Sequence, residues 1–184
     1  SLEESLVKSG SFSLDQGVGV RVIQGEKTGF AYADSLDLVS LNRAAHAARG
    51  IVKAGESQKF KIQNQNNFKN QNYYLAQNPL GSISSEEKVN LLQKIDQFAR
   101  QRDPRIREVM ASLSANFEVI LIMATDGTLA CDFRPLVRLN VTVVAEGPNG
   151  QREQGFSGGG ARKNYEMLLD NNYWEKITLE ACEV

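Results

Sequence analysis

The sequence holds too few of the residues that most metal and catalytic sites need. A single histidine, His46, occurs in 184 residues, and the two cysteines, Cys131 and Cys182, lie far apart and outside any Cys-x-x-Cys spacing. Zinc sites draw about four ligands from His, Cys, Asp and Glu at fixed spacing, so residue supply excludes a self-contained histidine-based zinc site. A catalytic triad would have to use His46, whose neighbours are alanines and arginines.

The usual signs of membrane, secreted and nucleic-acid-binding proteins are also missing. No apolar run approaches the ~18 residues of a membrane span, and no signal peptide is visible. Two separated cysteines indicate reduced thiols, which favours a cytoplasmic location. The net charge of −1 lacks the basic excess of dedicated nucleic-acid binders. With 41% hydrophobic and 23% charged residues, the composition is that of an ordinary globular protein.

Alternating apolar residues predict a β-rich beginning of the chain. Leu2 to Leu14 is typical of two short strands joined at the Ser9-Gly10 pair, and Gly17 to Gln24 and Phe30 to Ala33 each alternate as half-buried strands do. The polar segment Gly25 to Gly29 lies between them, which predicts a β-hairpin with a longer, mobile tip. We expect all these strands to form one antiparallel meander.

Two amphipathic helices follow from the spacing of apolar residues. The first is expected between Asp34 or Ser35, which offer N-cap side chains, and about Lys53. Its apolar stripe is rich in alanine, which predicts close packing on the sheet. The second begins with the capping box at Ser84 to Glu87 and ends before Pro104.

The second half of the chain again has the period of β-strands. Segment 56–78 is rich in Asn and Gln, with a bias toward loop or partial disorder, and the strand period begins at Ile106. Phe117 to Ala124 is almost continuously apolar, which predicts a central strand covered on both faces. Asp126-Gly127 marks a hairpin turn, and the turn-like Ser157 to Gly160 is expected to close a meander of four or five strands.

Together these elements predict an α+β fold, with an antiparallel sheet packed against two helices. We expect residues 1–163 to form one α+β domain, including the loop 56–78, and residues 164–184 to form a helical linker. The chain begins without Met and ends on a helical pattern without a capping signal, so a longer natural protein is expected.

Two segments are candidates for ligand binding. The first combines open backbone amides with a cation and consists of Ser157, Gly158, Gly159, Gly160 and Arg162. It suits a phosphate or carboxylate, or pairing with an extended peptide, although a flexible turn explains it more simply. The second is a cluster of arginines at 100, 102, 105 and 107, which could contact phosphates but also complements a helix C-terminus.

Several segments resemble the N-terminal region of the TldD/PmbA family of metallopeptidases, on the TldD side. They are DQGVGVRVIQGEKTGFAYAD at 15–34, SSEEK at 84–88, ASLSANFEVILIMATDGT at 111–128, ATDGTLACDFRPLVRLNVTVVAE at 124–146 and SGGGAR at 157–162. Their order and spacing also fit. The resemblance implies a cytoplasmic protease of unfolded or small peptides, active in peptide maturation and once described as a modulator of DNA gyrase.

The resemblance also implies a zinc ion and a partner. The family holds zinc in its C-terminal domain, through a His-Glu-x-x-x-His motif and a distant cysteine, and pairs with a second TldD/PmbA-type subunit as a hetero- or homodimer. This sequence lacks the motif, so no catalytic or metal residue is transferred to it, and neither Cys131 nor Cys182 matches the zinc cysteine. The chain is then expected to be a non-catalytic domain without a cofactor of its own.

Such a domain would wall the substrate cavity and support dimerisation. Ser157 to Gly160 and Arg162 would then contact the peptide, and the hairpin-tip residues Glu26, Lys27 and Thr28 would contact the partner subunit. Two alternatives stay open, a stand-alone peptide- or protein-binding module without enzymatic activity, and nucleic-acid binding through the arginines. A His-Glu-x-x-x-His segment encoded after Val184 would favour the peptidase, and a stop codon would favour the module.

Overall fold

The computed structural model of the protein describes residues 1–8, 10–52 and 73–183. Most of the predicted Asn/Gln-rich loop, and Ser9 of the predicted first turn, lie outside the described residues. The fold is α+β, as predicted, and the chain divides into two compact units, Ser1–Gly10 with Ile62–Val184 and Ser11–Lys61.

The described residues form seven strands and three α-helices. The strands are β1 (Leu2–Glu3), β2 (Leu6–Val7), β3 (Val18–Gln24), β4 (Lys27–Ala33), β5 (Ile106–Met123), β6 (Leu129–Glu146) and β7 (Arg152–Ala161). The helices are α1 (Leu38–Val52), α2 (Ser85–Arg102) and α3 (Asn171–Ala181), with short 3-10 turns at Pro79–Gly81 and Tyr165–Leu169.

The larger unit is built on a five-stranded antiparallel sheet in the order β2-β1-β5-β6-β7. Its centre is a long ribbon in which β5 pairs with β6 from Ile106 opposite Ala145 to Met123 opposite Leu129. β6 runs from Leu129 to Glu146 and continues through Pro135. β7 pairs only with residues 137–146, so the proline lies where β6 has an open edge, a position at which a strand tolerates proline.

Helices α2 and α3 bury one face of this sheet. The predicted capping box begins α2: the Glu87 amide donates to Ser84 Oγ at 3.1 Å, and the Ser84 amide donates to Glu87 Oε2 at 2.7 Å. The core combines apolar residues of both helices with alternate residues of β5 and β6, including Leu91, Ile95, Ala99, Val109, Val137, Leu139, Val141, Trp174 and Ile177. Phe98 meets the Trp174 ring edge-on, with centroids 5.5 Å apart.

The first two strands belong to this sheet, so the predicted single meander with the hairpin is wrong. Leu2 pairs with Ala111 of β5 and is only 1% exposed, and this burial favours the long-range pairing. The predicted turn at Ser9-Gly10 includes Ser9, which lies outside the described residues. The turn between β1 and β2 lies at Glu4 and Ser5, which have positive φ. Ser5 Oγ donates to the buried Asp96 carboxylate at 2.9 Å and fixes this turn on α2.

The smaller unit is the β3–β4 hairpin with α1 packed on one face. Gln24 pairs with Lys27, so the tip is a two-residue turn rather than the predicted longer loop. Gly25 takes φ 57°, the left-handed conformation that such a tip requires. The cap of α1 is Asp37, whose Oδ1 accepts the Ser40 amide at 2.8 Å, and not the predicted Asp34 or Ser35.

Close packing of α1 on the hairpin is confirmed, and Gly29 makes it possible. A Cβ atom at Gly29 would lie 2.8 Å from Val52 Cγ2 and still closer to the Ala48 carbonyl oxygen. Ala44, Ala48 and Val52 form the buried face of the helix. The sequence marks Gly29 as the end of a loop, whereas its function in the fold is to let the helix backbone approach the strand.

Candidate functional site

The glycine stretch predicted as a turn lies within the edge strand β7. Gly158 pairs with Asn140 and Gly160 with Arg138, in regular antiparallel register. In the described part of the chain no strand pairs with the other side of β7, so its outer backbone groups are available for a further strand. The turn prediction is wrong because glycine signals a turn in sequence but also fills strand positions where neighbours approach closely.

The candidate residues of β7 divide between the two faces of the sheet. Ser157 and Gly159 face α3: Ser157 Oγ donates to Glu180 Oε2 at 2.8 Å, and a Cβ atom at Gly159 would lie 2.5 Å from the Tyr173 hydroxyl. These two residues therefore hold α3 on the sheet. The structure does not place them with the other candidates on one ligand surface.

Gly158 and Gly160 face the opposite side, where the sheet carries small and polar residues. A Cβ atom at Gly158 would lie 2.7 Å from Asn140 Oδ1, which accepts a hydrogen bond from Arg138 Nε at 2.8 Å. Phe156, on this same face, is 60% exposed. Asn140 thus occupies the space beside Gly158, and the exposed Phe156 ring is the apolar contact that this face offers an extended ligand.

Arg162, the candidate cation, follows the last residue of β7 and is exposed. Its guanidinium carbon lies 5.5 Å from the centroid of the Tyr74 ring, which is 37% exposed. The pair resembles a cation–π contact that leaves the guanidinium N–H groups accessible to an anion. Tyr74, which is not among the sequence-based candidates, thus contributes to the candidate site.

The hairpin-tip candidates are all exposed. Glu26 lies in the turn, and Lys27 and Thr28 begin β4. Farther along the outer face of the hairpin, Phe30 and Tyr32 are 58% and 72% exposed. A Cβ atom at Gly19 would lie 3.1 Å from the Phe30 ring, so this aromatic ring is what occupies the space above the strand glycine.

Two of the four arginines in the cluster pair with carboxylates of the chain. Arg100 Nε donates to Asp96 Oδ1 at 3.0 Å, and Arg105 forms an ion pair with Asp103 at 2.7 Å. Hydrogen bonds from Arg105 lower the pKa of Asp103, which keeps this carboxylate charged and its partner neutralised. The geometry accounts for these two arginines as structural residues of the α2–β5 junction.

Metal-ligating residues do not cluster in the described ranges. Residues 1–8, 10–52 and 73–183 contain no group of three or more His, Cys, Asp or Glu side chains that could hold a metal ion. His46 lies on the exposed side of α1. In this same part of the chain, no helix has the length and apolar character needed to cross a membrane.

The β5–β6 ribbon carries an exposed apolar surface that the sequence does not predict. Segment 117–124 is predicted to be covered on both faces, but Val119, Leu121, Ile122 and Met123 are 56–67% exposed. The ribbon extends past the helices that cover its other half. The length of the paired strands could have revealed this exposed surface, because the ribbon is longer than two helices of 18 and 11 residues can cover.

Family models match both parts of the chain. The model of PmbA/TldA metallopeptidase domain 1 matches residues 1–52, and that of the PmbA/TldA metallopeptidase central domain matches residues 78–184. The sequence boundary differs from the structural one, because β1 and β2 lie in the first match but pair into the sheet of the second.

Curated relatives agree with these matches. The chain is 48% identical over 169 residues to a metalloprotease TldD homolog of Haemophilus influenzae, and 43% identical over 185 residues to one of Buchnera aphidicola subsp. Schizaphis graminum. These alignments cover 92% and 96% of this chain. The chain spans little more than a third of the relatives' length, 35% and 38%.

Solved structures share the fold. A candidate modulator of a DNA gyrase from Thermotoga maritima has a TM-score of 0.61 at 19% identity, over 91% of this chain and 36% of that one. TldE from Thermococcus kodakarensis has a TM-score of 0.59 at 16% identity, over 89% of this chain and 36% of that one. With the sequence matches, these findings show that the chain belongs to the PmbA/TldD family of metallopeptidases.

Proposed function

We propose that this chain is the non-catalytic N-terminal part of a TldD-like zinc metallopeptidase, in which it walls the substrate cavity and binds unfolded peptide along β7. The observation that carries the proposal is the open outer edge of β7 in a chain of a peptidase family. A strand edge pairs with any extended backbone, whatever its side chains. A protease of unfolded or small peptides needs this kind of recognition.

The face of β7 away from α3 suits such a ligand. Phe156 offers an exposed apolar contact on this face, beside the open edge of the strand. Arg162, stacked on Tyr74 at the end of the strand, would bind a peptide carboxylate or an acidic side chain. A folded substrate would be excluded, because its backbone groups are already paired.

Zinc and the hydrolytic step belong, in this proposal, to sequence outside this chain. When bound there, zinc would supply the activation of water for hydrolysis, and the residues of this chain would hold the peptide extended and shielded from solvent. We further propose a cytoplasmic location and a second TldD/PmbA-type subunit as partner. The hairpin-tip residues Glu26, Lys27 and Thr28 are proposed contacts with that subunit.

The test is Phe156→Ala in the full-length parent protein. Losing an exposed contact to bound peptide should raise KM about 3- to 10-fold and leave kcat nearly unchanged, as expected for a group that binds ground state and transition state alike. Tyr32→Ala is the matched control, since Tyr32 is an exposed aromatic of the other unit. An unchanged KM for Phe156→Ala, or an equal effect of both variants, would refute binding along β7.

A further inference from the structure

We propose that Arg138, held over the edge strand β7 by Asn140, makes β7 selective for extended peptides that carry an acidic side chain. The three residues Arg138, Asn140 and Gly158 are called the Arg138 site below. The inference rests on the peptide binding along β7 in the proposed function and names the class of peptide that the strand would take. The two are separable, because β7 would still bind extended peptides if the Arg138 site did not distinguish acidic from neutral ones.

One hydrogen bond directs the Arg138 side chain toward β7. Arg138 and Asn140 lie on the sheet face away from α2 and α3, because the alternate residues Val137 and Leu139 belong to the core. Arg138 Nε donates to Asn140 Oδ1 at 2.8 Å. Arg138 Nη2 then lies 3.4 Å from the place that a Cβ atom at Gly158 would take. The guanidinium of this β6 residue has therefore crossed to the edge strand.

Gly158 keeps this arrangement possible. A Cβ atom at this position would lie 2.7 Å from Asn140 Oδ1, the atom that accepts the hydrogen bond from Arg138. Any other residue at 158 would displace the Asn140 amide and release the guanidinium. The glycine thus gives the Arg138–Asn140 pair its place above β7.

The guanidinium is within reach of a peptide paired with β7. Neighbouring strands lie about 4.8 Å apart, so a peptide strand would lie roughly 10 Å from the β6 backbone. The Arg138 side chain spans the inner half of this distance, up to Gly158. An Asp or Glu side chain of the peptide, directed to the same face, would span the outer half and accept a charge-assisted hydrogen bond.

The charge of Arg138 is not compensated by a carboxylate in the part of the chain that the structure describes. Arg138 is exposed, and its direct neighbours across the strands are the neutral residues Ser114 of β5 and Gly160 of β7. One of its five N–H donors goes to the amide of Asn140, which leaves donors for a ligand. An acid is the group that this charge and these donors favour.

Arg162 adds a second cation at the end of the same strand. Its guanidinium stacks on the Tyr74 ring, and it too forms no ion pair within the described ranges. Two uncompensated guanidiniums beside the open edge of β7 would repel a basic peptide and attract an acidic one. The occupant that the charges favour is therefore an extended peptide with an Asp or Glu side chain on this face.

The test measures binding of two matched peptides to the 184-residue chain by fluorescence anisotropy. Both are labelled, rich in Thr and Val, and blocked at both ends, and they differ only in one central residue, Glu or Gln. The unchanged chain should bind the Glu peptide about 5- to 10-fold more tightly, since the hydrogen bond is charge-assisted but partly screened by solvent. This preference should shrink as salt rises.

Four substitutions locate the preference. Arg138→Gln should reduce it to less than about 2-fold. Arg152→Gln is the matched control, because it removes the same charge from an arginine that lies 3.3 Å from the Glu108 carboxylate, and it should leave the preference unchanged. Asn140→Ala keeps the charge but frees the guanidinium, so the preference should fall about 3-fold without a change in affinity for the Gln peptide. Arg138→Glu should create a preference for a peptide with a central Lys, a gain that a misfolded chain cannot produce.

The outcomes that overturn the proposal differ from those that overturn the proposed function. Equal affinity for the blocked Glu and Gln peptides would refute acidic selectivity and leave binding along β7 standing. Tighter binding of a Gln peptide with a free C-terminus would then assign the cations to the chain end instead. Equal effects of Arg138→Gln and Arg152→Gln, or no gain for the Lys peptide in Arg138→Glu, would also refute the Arg138 site. No binding of any peptide would overturn the proposed function as well.

Discussion

The packing of α1 on the hairpin through Gly29 allows the most specific test of the fold. Gly29→Ala would place a methyl group 2.8 Å from Val52 Cγ2 and closer still to the backbone oxygen of Ala48. An oxygen that belongs to a helix backbone cannot rotate away, so the whole helix has to move outward. Overpacking of this kind typically costs 1–3 kcal/mol, and we expect about 3 kcal/mol because the obstacle is backbone.

Gly50→Ala, within α1 itself, is the matched control. Nothing lies within 4 Å of a Cβ atom at Gly50, so this change should stabilise α1 by about 0.5–1 kcal/mol through helix propensity. The two substitutions add the same methyl group and should act in opposite directions. Any general effect of replacing glycine would act on both alike.

The assay is native-state hydrogen exchange of the α1 amides. Unfolding in urea, followed by Trp174 fluorescence, measures the stability of the larger unit in parallel. Exchange from α1 should accelerate about 100-fold in Gly29→Ala and slow in Gly50→Ala. Trp174, the single tryptophan, lies in the core of the larger unit and reports on that unit alone. Unchanged α1 protection in Gly29→Ala would refute the close approach of helix and strand.

Three further predictions concern caps and thiols. Asp37→Ala should destabilise α1, because Asp37 caps the helix. Hydrogen bonds lower the pKa of Asp37 below its ordinary 3.8, so protection of the α1 amides should be complete above about pH 5 and fall as the pH drops below about 4. Hydrogen exchange from pH 3 to 6 would measure this profile, and a flat profile would contradict the cap. Ser84→Ala removes half of the capping box and should lower the free energy of unfolding by about 1 kcal/mol. Trp174 fluorescence would report this loss as a lower Tm, and an unchanged Tm would show that the cap is dispensable. Burial raises the pKa of the Cys182 thiol. In a Cys131→Ser variant, maleimide labelling of Cys182 should therefore be slower at pH 7 than labelling of a free thiol, and its rate should increase through pH 9. Fast labelling at pH 7 would refute the raised pKa.

Helix caps and tight turns were predictable from the sequence because the residues that form them are neighbours in the chain. Ser84 and Glu87 lie three residues apart and cap each other, and Asp126-Gly127 is a turn in any context that pairs its flanking strands. The α+β class and the ends of α2 follow from such signals. The family resemblance of the sequence motifs is likewise confirmed by the matches to both family models.

Long-range pairing and coverage were not predictable from local patterns. Nothing near Leu2 indicates that its partner is Ala111, a residue more than 100 positions away. The apolar run beginning at Phe117 has the same pattern in a covered central strand as in a ribbon that extends past its helices. At Ser157 to Gly160, the residues that explain the glycines, Tyr173 and Asn140, are in other elements of the fold.

Zinc content and peptidase activity of the purified 184-residue chain, measured beside the full-length parent protein, test the central claim most directly. If the chain is the peptide-binding, non-catalytic part of a TldD-like metallopeptidase, it should retain no stoichiometric zinc and cleave no unfolded peptide. The parent protein should do both, and lose its activity when the zinc is removed. Stoichiometric zinc in the chain alone, or cleavage of peptide by it, would contradict the account.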